Sequence, residues 1–316
     1  MSNIPKDNPV GKSGGRAILW MIPRSISTAF TKCMSGIPGC EVWMEPFFFC
    51  HFALNELEKL GIKGKPMSYD GHEELFKTAA EALEKYMPGV TCFPDRLPFA
   101  TVKKDLEDSI SKYVFVKDES IAMQTDQRRQ FIPEGYQHAF LIRHPLLVYK
   151  SMRKGSFVQF LEAGMLKFNE TDESSFDFRP YAKEHGVDIV FEQHHKQWTY
   201  IRDHVNPSPL VIDSSALLTN PAPVLREFCE AVGFPYSESL LQWSGSPEVA
   251  KEWKWPGENM YKDENYLGAA KNSTHFTPPA AVPAWEEVTD DVRELAEKAM
   301  PYYEDMIQRR PVETSS

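Results

Sequence analysis

The sequence contains few cysteines and no excess of positive charge, and each shortage excludes a class of protein. The five cysteines among 316 residues are odd in number and form no C-x-x-C pair, which argues against a disulfide framework and against a zinc site. Lys and Arg number 35 against 45 Asp and Glu, a net charge of -10, so the surface as a whole does not favour nucleic acid or an anionic membrane. An anionic ligand would have to be bound by a few well-placed basic groups.

Long apolar runs are also missing. No stretch approaches the ~18 uninterrupted apolar residues of a membrane span, and the first 15 residues lack the apolar segment of a secretory signal. We therefore predict a cytoplasmic protein with no membrane partner. With 42% hydrophobic residues and neither a repeat nor a linker, the simplest organisation is one domain over 16–310 between flexible ends at 1–15 and 311–316.

Five short apolar runs recur along the chain, and each ends in a polar or charged residue. Runs of this length that alternate with helix-length segments are typical of parallel strands buried on both faces. We therefore predict an α/β fold, a single domain with a central, mainly parallel sheet flanked by helices. Ligands of such sheets bind beyond the carboxyl ends of the strands. The runs are 17–22, 41–44, 113–116, 138–142 and 210–212.

The segments between and after these runs carry helix signals, except for one acidic stretch. Residues 155–192 contain three basic and eight acidic residues, a net charge of -5, and this excess predicts an exposed acidic lid inserted into the domain. Helices are predicted over 29–34, 73–86, 221–232 and 285–309.

The segment Pro23–Thr28 follows the first run directly and opens a helix. Backbone N–H groups at the helix start, three hydroxyl groups and one guanidinium come together there, which suits the binding of a phosphate or sulfate. It is not a Walker A loop, because G-x-x-x-x-G-K is absent. The alternative is an ordinary helix cap, formed by Ser27 or Thr28, next to a surface arginine.

A second pattern begins where the fourth run ends. Arg143 stands at the strand end and Ser151 follows eight residues later on the next helix, so that an arginine fork and a hydroxyl can bind a second phosphate. A strand-end arginine taken alone is more often a partner in a structural ion pair. His144, directly after Arg143, is predicted to make a local hydrogen bond rather than to act as a catalyst.

Together the two segments resemble the nucleotide-binding motifs of the sulfotransferase superfamily that uses 3'-phosphoadenosine-5'-phosphosulfate (PAPS). Its 5'-phosphosulfate loop, P-[KR]-S-G-[ST]-[ST], is similar to Pro23–Thr28, and its motif R-x-P-x-x-x-x-x-S matches Arg143, Pro145 and Ser151. The resemblance covers about 17–233 and implies a P-loop NTPase-like fold, PAPS as the donor, and no metal. The donor-binding residues that it implies are Arg24, Ser25, Ile26, Ser27, Thr28, Arg143 and Ser151.

The sequence departs from the family pattern in two places. Ile26 stands where the loop has glycine, which leads us to expect a different approach of the backbone to the donor. The carboxy-terminal R-K-G-x-x-G signature is missing. Lys271 and Ser273 are candidate substitutes that contact the nucleotide, and an ordinary polar loop is the alternative.

The resemblance also indicates catalytic residues, Arg24 of the loop among them. Glu45 begins E-P-F-F-F, which resembles the E-P-x-F-F segment of carbohydrate sulfotransferases, where the glutamate takes the acceptor proton. A solvated glutamate before a turn is the alternative. Lys117 matches the lysine of the K-T-H sequence in cytosolic members and is expected to stabilise charge on the transferring group. Asp118 and Glu119 are alternative bases, or ion-pair partners of Lys117.

The sequence therefore predicts a sulfotransferase of EC class 2.8.2 that moves a sulfuryl group from PAPS to a hydroxyl or amine of a small-molecule acceptor. The acidic segment favours a neutral or cationic acceptor. A P-loop-type small-molecule kinase and a non-catalytic nucleotide-binding protein that retains the fold are the alternatives. We expect no nucleic-acid partner, and a homodimer is left open.

Overall fold

The five predicted apolar runs all lie in one sheet. The computed structural model describes residues 14–62, 64–87, 89–164, 166, 172–262 and 272–309. The strands of the sheet are β1 Arg16–Met21, β2 Cys40–Met44, β4 Tyr113–Glu119, β5 Gln137–Ile142 and β6 Leu210–Asp213. Their order is β2-β4-β1-β5-β6, and every neighbouring pair is parallel. The predicted α/β fold with a central parallel sheet is confirmed.

Two very short strands form a separate antiparallel pair. These are β3, Thr91–Cys92, and β7, Gly257–Glu258. Their pairing brings residues 257–258 against residues 91–92, which are far apart in the sequence.

Helices flank the large sheet on both faces. They are α1 Ser27–Ser35, α2 Pro46–Lys59, α3 Glu73–Glu84, α4 Phe99–Asp108, α5 Asp126–Arg129, α6 Pro145–Ala163, α7 Arg179–Glu184, α8 Val190–His204, α9 Ser214–Thr219, α10 Pro221–Val232 and α11 Asp290–Gln308. The predicted helix over 221–232 is found with the same bounds. The predicted closing helix begins at residue 290 instead of 285, because Val288 and Thr289 have extended backbone that separates it from a short turn at 285–287. Within the described residues, none of these helices combines the length and the apolar character that a membrane crossing needs.

Strand β1 lies at the centre of the fold, and all six of its residues are buried. Its alternate side chains serve two cores, as the two-residue period of a strand requires. Ile18 and Trp20 pack into the core under α2, α3, α8 and α11, whereas Leu19 packs on the other face with Phe30 of α1 and Phe228 of α10. Both faces of the sheet are covered by packed side chains. The end of the sheet at which its strands finish is left open, and the candidate residues are found there.

The described part of the acidic segment 155–192 is attached to the core through two buried phenylalanines. Arg153 on α6 donates to Asp291 of α11 at 3.0 Å (Nε to Oδ2) and to the carbonyl oxygen of Phe176 at 2.6 Å. Phe178 donates its backbone N–H to the same Asp291 carboxylate at 2.9 Å, and both phenylalanines are buried. Residues 172–175, directly before these rings, are exposed, so the rings anchor a segment that is otherwise partly open to solvent. Residues 165 and 167–171 of the predicted lid lie outside the described residues, as do 1–13 and 311–316 of the predicted flexible ends.

A buried histidine links β1 to β5 and leads to a prediction about acid stability. His138 accepts a hydrogen bond at Nδ1 from Nε1 of Trp20, at 3.0 Å, and burial lowers its pKa from 6.5 to about 3. As the pH falls, this histidine therefore takes up a proton in the unfolded chain before it does so in the folded protein. The stability that the folded protein gains from the neutral ring is present above pH 6.5 and is lost below it.

We expect His138→Gln, which keeps an acceptor for Trp20 but does not titrate, to cost about 2 kcal/mol less stability at pH 5 than at pH 7.5. Urea unfolding of both proteins at the two pH values measures the difference. A cost that is the same at both pH values would contradict the prediction.

Candidate functional site

The loop after β1 has an unusual backbone. Arg24 and Ile26 both have positive φ, at 65° and 68°, in the left-handed region where residues other than glycine are uncommon and a β-branched residue is a rare exception. Ile26 therefore keeps the conformation that glycine favours, although the sequence led us to expect a different backbone approach. Strain of this kind costs about 1–3 kcal/mol per residue and persists only where the surrounding contacts hold it.

Helix α1 begins directly after this loop without the predicted side-chain cap. Ile26, not Ser27 or Thr28, is the N-cap residue, and no side chain caps the first N–H groups. The carbonyl oxygen of Ile26 accepts from the backbone N–H of Ala29 at 3.1 Å, as the first turn requires. Uncapped N–H groups at the start of a nine-residue helix, together with the helix dipole, favour an anion there.

The hydroxyl groups of the loop are not equivalent. Ser25 is fully buried and donates its hydroxyl to the carbonyl oxygen of Ile22 at 2.7 Å, which folds the loop back on the end of β1. Ser27 is also buried, whereas Thr28 is half-buried. In the structure Ser25 thus shapes the loop through its side chain.

The structure brings the two motifs together. Arg24 donates Nε to the hydroxyl oxygen of Ser151 on α6 at 3.0 Å, and Arg143 donates Nη1 to the carbonyl oxygen of Arg24 at 2.6 Å. Burial and the neighbouring charge of Arg24 lower the pKa of Arg143 below its usual value. Two guanidinium groups are therefore held side by side at the carboxyl ends of β1 and β5.

Neither guanidinium has an acidic partner. Among the described residues, no carboxylate forms an ion pair with Arg24 or Arg143. His144 does not supply one, since its Nδ1 accepts from the backbone N–H of Leu146 at 3.3 Å and caps α6, the local role that the sequence predicted. Two adjacent positive groups without a counter-charge are the arrangement that an anionic ligand completes.

Glu45 and Lys117 form a buried ion pair at the neighbouring strand ends. Lys117 Nζ donates to Glu45 Oε1, and the two side chains are only 4% and 17% exposed. The backbone reinforces the contact, because the N–H of Glu45 donates to the carbonyl oxygen of Lys117 at 2.7 Å. Glu45 itself has a left-handed backbone, with φ 54°, at the point where β2 turns into α2.

Asp118 has both carboxylate oxygens occupied by backbone N–H groups. Oδ2 accepts from Phe47 at 2.7 Å, and Oδ1 accepts from Phe48 at 2.9 Å and from Glu119 at 2.8 Å. Burial raises the pKa of Asp118 to about 8, against the lowering effect of these N–H groups. The ion-pair partner of Lys117 is thus Glu45, and Asp118 instead closes the first turn of α2 from the neighbouring strand.

Replacing Asp118 by asparagine is expected to destabilise the protein by about 2–3 kcal/mol, because buried N–H groups at the start of α2 lose acceptors. Urea unfolding measures this loss. A variant that keeps full stability but loses all turnover would show that Asp118 acts as the base instead.

Glu119 ends β4 beside the loop. It pairs in register with Met21, the last residue of β1, and the loop begins two residues later. Burial raises the pKa of Glu119 well above its usual range, the charges of Glu45 and Asp118 raise it further, and Lys117 opposes them. Since Lys117 is already paired with Glu45, Glu119 lies beside the site as a buried carboxyl group, and no residue in the described part of the chain forms an ion pair with it.

One carboxy-terminal candidate lies against α1. Lys32, buried on α1, donates Nζ to the carbonyl oxygen of Ser273 at 3.0 Å, and Trp243 donates Nε1 to the Ser273 hydroxyl at 3.2 Å. Lys271 lies outside the described residues. Sequence reasoning missed Lys32, and the signal for it was its position one helical turn after Thr28. Among the described residues, no group of three or more His, Cys, Asp or Glu side chains is arranged to hold a metal ion.

The comparison with protein families bears on the later part of this architecture. Residues 188–310 match a family model described as a sulfotransferase domain. The matched part contains the helices α8 to α11 and the strand β6. Strand β6 belongs to the same sheet as β1 and β5, which the two motifs follow. In this part the chain is similar to a sulfotransferase domain.

Solved structures of sulfotransferases are similar to this chain at low sequence identity. The sulfotransferase domain of the olefin synthase from Synechococcus PCC 7002 is 17% identical, over 92% of this chain and 96% of that one, with a TM-score of 0.42. A sulfotransferase from Mycobacterium avium is 12% identical, over 96% of this chain and 78% of that one, with a TM-score of 0.47. No curated protein sequence matches the chain.

Proposed function

We propose that this protein is a sulfotransferase that uses PAPS as the donor and sulfates a hydroxyl or amine group of a small-molecule acceptor. The family match supports the general activity, and the observation that carries the choice of donor is the contact between the two motifs. The hydrogen bonds from Arg143 to the Arg24 carbonyl oxygen and from Arg24 to Ser151 join them in one site. A donor with a 3'-phosphate and a 5'-phosphosulfate needs both motifs at once.

The residues of this site fit such a donor. Arg143 and Ser151 are proposed to bind the 3'-phosphate, and Arg24, Ser27, Thr28 and the uncapped N–H groups of α1 the 5'-phosphosulfate. Within the part of the chain that the structure describes, the two guanidinium groups have no acidic partners. Together with the helix start, they supply positive potential in a protein whose net charge is -10. Ser25 and the strained Ile26 backbone hold the loop in shape. When bound, PAPS supplies the sulfuryl group that is transferred.

Glu45 and Lys117 are proposed to carry the acid–base and charge-stabilising roles. Glu45 takes the proton from the acceptor hydroxyl or amine as the new bond to sulfur forms. Protonated Glu45 no longer balances the charge of the Lys117 ammonium group. The positive charge of Lys117 then acts on the oxygen that leaves the sulfur. The buried position of the pair strengthens this effect, because little water screens it.

Asp118 and Glu119 fit the role of base less well. The two oxygens of Asp118 are occupied by N–H groups that open α2. The raised pKa of Glu119 favours a protonated carboxyl group at neutral pH, and a protonated group cannot accept a proton. We therefore assign the base to Glu45, and we assign to Asp118 the positioning of the helix that follows it.

The proposed function is tested by donor binding and by transfer. Calorimetry is expected to show binding of 3'-phosphoadenosine-5'-phosphate (PAP), the product of PAPS, and mass spectrometry should detect a product heavier by one sulfuryl group from a panel of alcohols, phenols, amines and guanidines. The acceptor panel also tests the proposed preference for neutral and cationic acceptors over anionic ones.

The two alternatives give different results in the same assays. Magnesium-dependent consumption of ATP without any sulfated product would indicate a kinase. Binding of PAP without transfer to any acceptor would indicate a non-catalytic nucleotide-binding protein. Absence of PAP binding would refute the proposed donor.

A further inference from the structure

Glu119 is a buried carboxyl group at the candidate site, and its side chain has no partner in the described part of the chain. The residue is 8% exposed, and its backbone N–H donates to Asp118 Oδ1 at 2.8 Å. Of the residues that the structure describes, none forms an ion pair or a hydrogen bond with its carboxyl oxygens. Both oxygens keep some contact with solvent. They therefore lie at an opening in the site and not in the closed core.

The backbone shows on which face of the sheet this side chain lies. Side chains alternate along a strand, and Phe115 of β4 packs into the core on the α1 face of the sheet. Lys117 and Glu119 follow at two-residue intervals, and the backbone of Glu119 is still extended, at φ -89° and ψ 130°. Glu119 therefore lies on the same face as the ion pair of Lys117 and Glu45, whose charges both act on its carboxyl group.

The charges at the strand ends are divided between two sides of the site. In the sheet order β2-β4-β1-β5, the two arginines of the motifs follow β1 and β5, whereas the three carboxyl groups lie at the ends of β2 and β4. Glu45 is balanced by Lys117, and Asp118 accepts from three N–H groups. Glu119 has no such compensation among the described residues, and a buried acidic group of this kind is costly unless a ligand completes it. Since an anionic donor belongs with the arginines, Glu119 is left for the acceptor.

We propose that Glu119 binds an ammonium group of the acceptor while the hydroxyl group to be sulfated lies at Glu45. This inference rests on the proposed function and deepens it, because it names the acceptors as hydroxylated amines. Lys117 and Glu119 are two residues apart on β4, which places their Cα atoms roughly 7 Å from each other. A small molecule with a hydroxyl group and an ammonium group several bonds apart can therefore reach both carboxyl groups. A neutral acceptor of the same shape would leave Glu119 uncompensated.

Binding of the ammonium group changes the protonation of Glu119. Without an acceptor, burial and the charges of Glu45 and Asp118 raise the pKa of Glu119, so the carboxyl group keeps its proton at neutral pH. An ammonium group at hydrogen-bonding distance lowers that pKa, as the charge of Lys117 does. The carboxyl group then releases its proton to the solvent and becomes the carboxylate of a charge-assisted pair. Glu119 is thus a binding group, separate from the base at Glu45.

The test measures calorimetric binding of two matched sets of acceptors, with and without PAP, at constant ionic strength. Within each set, one skeleton carries an ammonium, a methyl or a carboxylate end. The sets are aminopentanol, hexanol and hydroxyhexanoate, and tyramine, para-propylphenol and para-hydroxyphenylpropanoate. Wild type is expected to bind the ammonium member of at least one set about tenfold or more tightly than the methyl member. Measurements in two buffers of different ionisation enthalpy should show that this binding releases a proton at neutral pH.

Two variants separate a role of Glu119 from general effects. Glu119→Gln is expected to abolish the preference, because the amide has neither the charge nor a proton to release. The ratio of kcat/KM between the ammonium and methyl members should fall about tenfold or more, with the change mainly in KM. Glu74→Gln is the matched control, since it changes an exposed glutamate of α3 that pairs with Lys77, and it should keep both the preference and the proton release. Thermal unfolding shows whether each variant is folded.

The inference is wrong if wild type does not bind an ammonium member more tightly than its methyl counterpart, if no proton is released, or if Glu119→Gln keeps the preference. A preference lost equally in Glu74→Gln would assign it to the overall negative charge of the protein. If Glu119→Gln does not fold, wild type still decides through the comparison within each set and the proton release. Failure of the proposed function is recognised separately, because PAP then does not bind or no sulfated product forms, while the ammonium preference is measured on the protein without nucleotide.

Discussion

Arg143→Ala is expected to weaken PAP binding by about 3 kcal/mol, a factor of more than about 100 at 25 °C. The substitution removes a partly desolvated guanidinium from a phosphate dianion, so the loss exceeds that of an exposed charge. It also removes the hydrogen bond at 2.6 Å that Arg143 makes to the carbonyl oxygen of Arg24. Because Arg24 has a strained backbone, part of the loss arises from a loop that is no longer held in place.

Two further variants separate these contributions. Arg143→Lys keeps one positive charge but loses the two-pronged geometry, and we expect an intermediate affinity for PAP. Arg202→Ala removes a half-buried arginine that contacts Asp203 on α8, away from the site, and should leave PAP binding unchanged. Calorimetry at one ionic strength compares all three. An unchanged affinity in Arg143→Ala would refute the assignment of the 3'-phosphate to this residue.

Glu45→Gln is expected to lower kcat by about 10²–10⁴-fold while PAP affinity changes little. The amide can still accept a hydrogen bond from Lys117, so the packing at the ends of β2 and β4 is preserved. It cannot take a proton from the acceptor. We therefore expect a lower kcat with little change in the affinity for PAP. Steady-state kinetics and calorimetry on the same preparation measure these two quantities.

Glu119→Gln is the matched comparison, because it changes a neighbouring carboxyl group in the same way. Burial holds the pKa of Glu119 above its usual range, and an amide resembles the protonated carboxyl group, so we expect a much smaller loss of kcat. The ranking of the two variants identifies the base. If Glu119→Gln were the more damaging change, the base would be Glu119 and the role proposed for Glu45 would be wrong.

The strand pattern was predictable because each strand carries its own signal. Apolar runs buried on both faces are local features, and the runs at 17–22 and 113–116 become neighbouring strands of one parallel sheet. The helix over 221–232 was equally local, since prolines begin it and Gly233, at φ 72°, ends it. The helix over 29–34 was found as well, but its cap was predicted wrongly, because the left-handed conformation of Ile26 depends on contacts made elsewhere in the fold.

The sequence predicted which residues belong to the candidate site, but it did not predict which of them contact each other. The motifs named Arg24, Arg143 and Ser151, yet residues more than 100 positions apart meet only when β1 and β5 lie side by side. Similarly, the sequence left open whether Asp118 and Glu119 are alternative bases or ion-pair partners of Lys117. Their side chains alternate across the strand, so Lys117 pairs with Glu45, whereas Asp118 points to the other face and binds the start of α2.

By itself, therefore, the sequence determined that this chain forms a parallel sheet in an α/β fold. It also determined which basic and hydroxyl-bearing residues lie at the strand ends. Both were predictable because strand burial and motif spacing depend on residues that are neighbours in the sequence. The tertiary structure decided which charges are balanced. It paired Lys117 with Glu45 and left Arg24 and Arg143 without carboxylate partners among the described residues. Whether a charge is compensated depends on side chains that the fold brings together from distant positions, and on how little water remains around them.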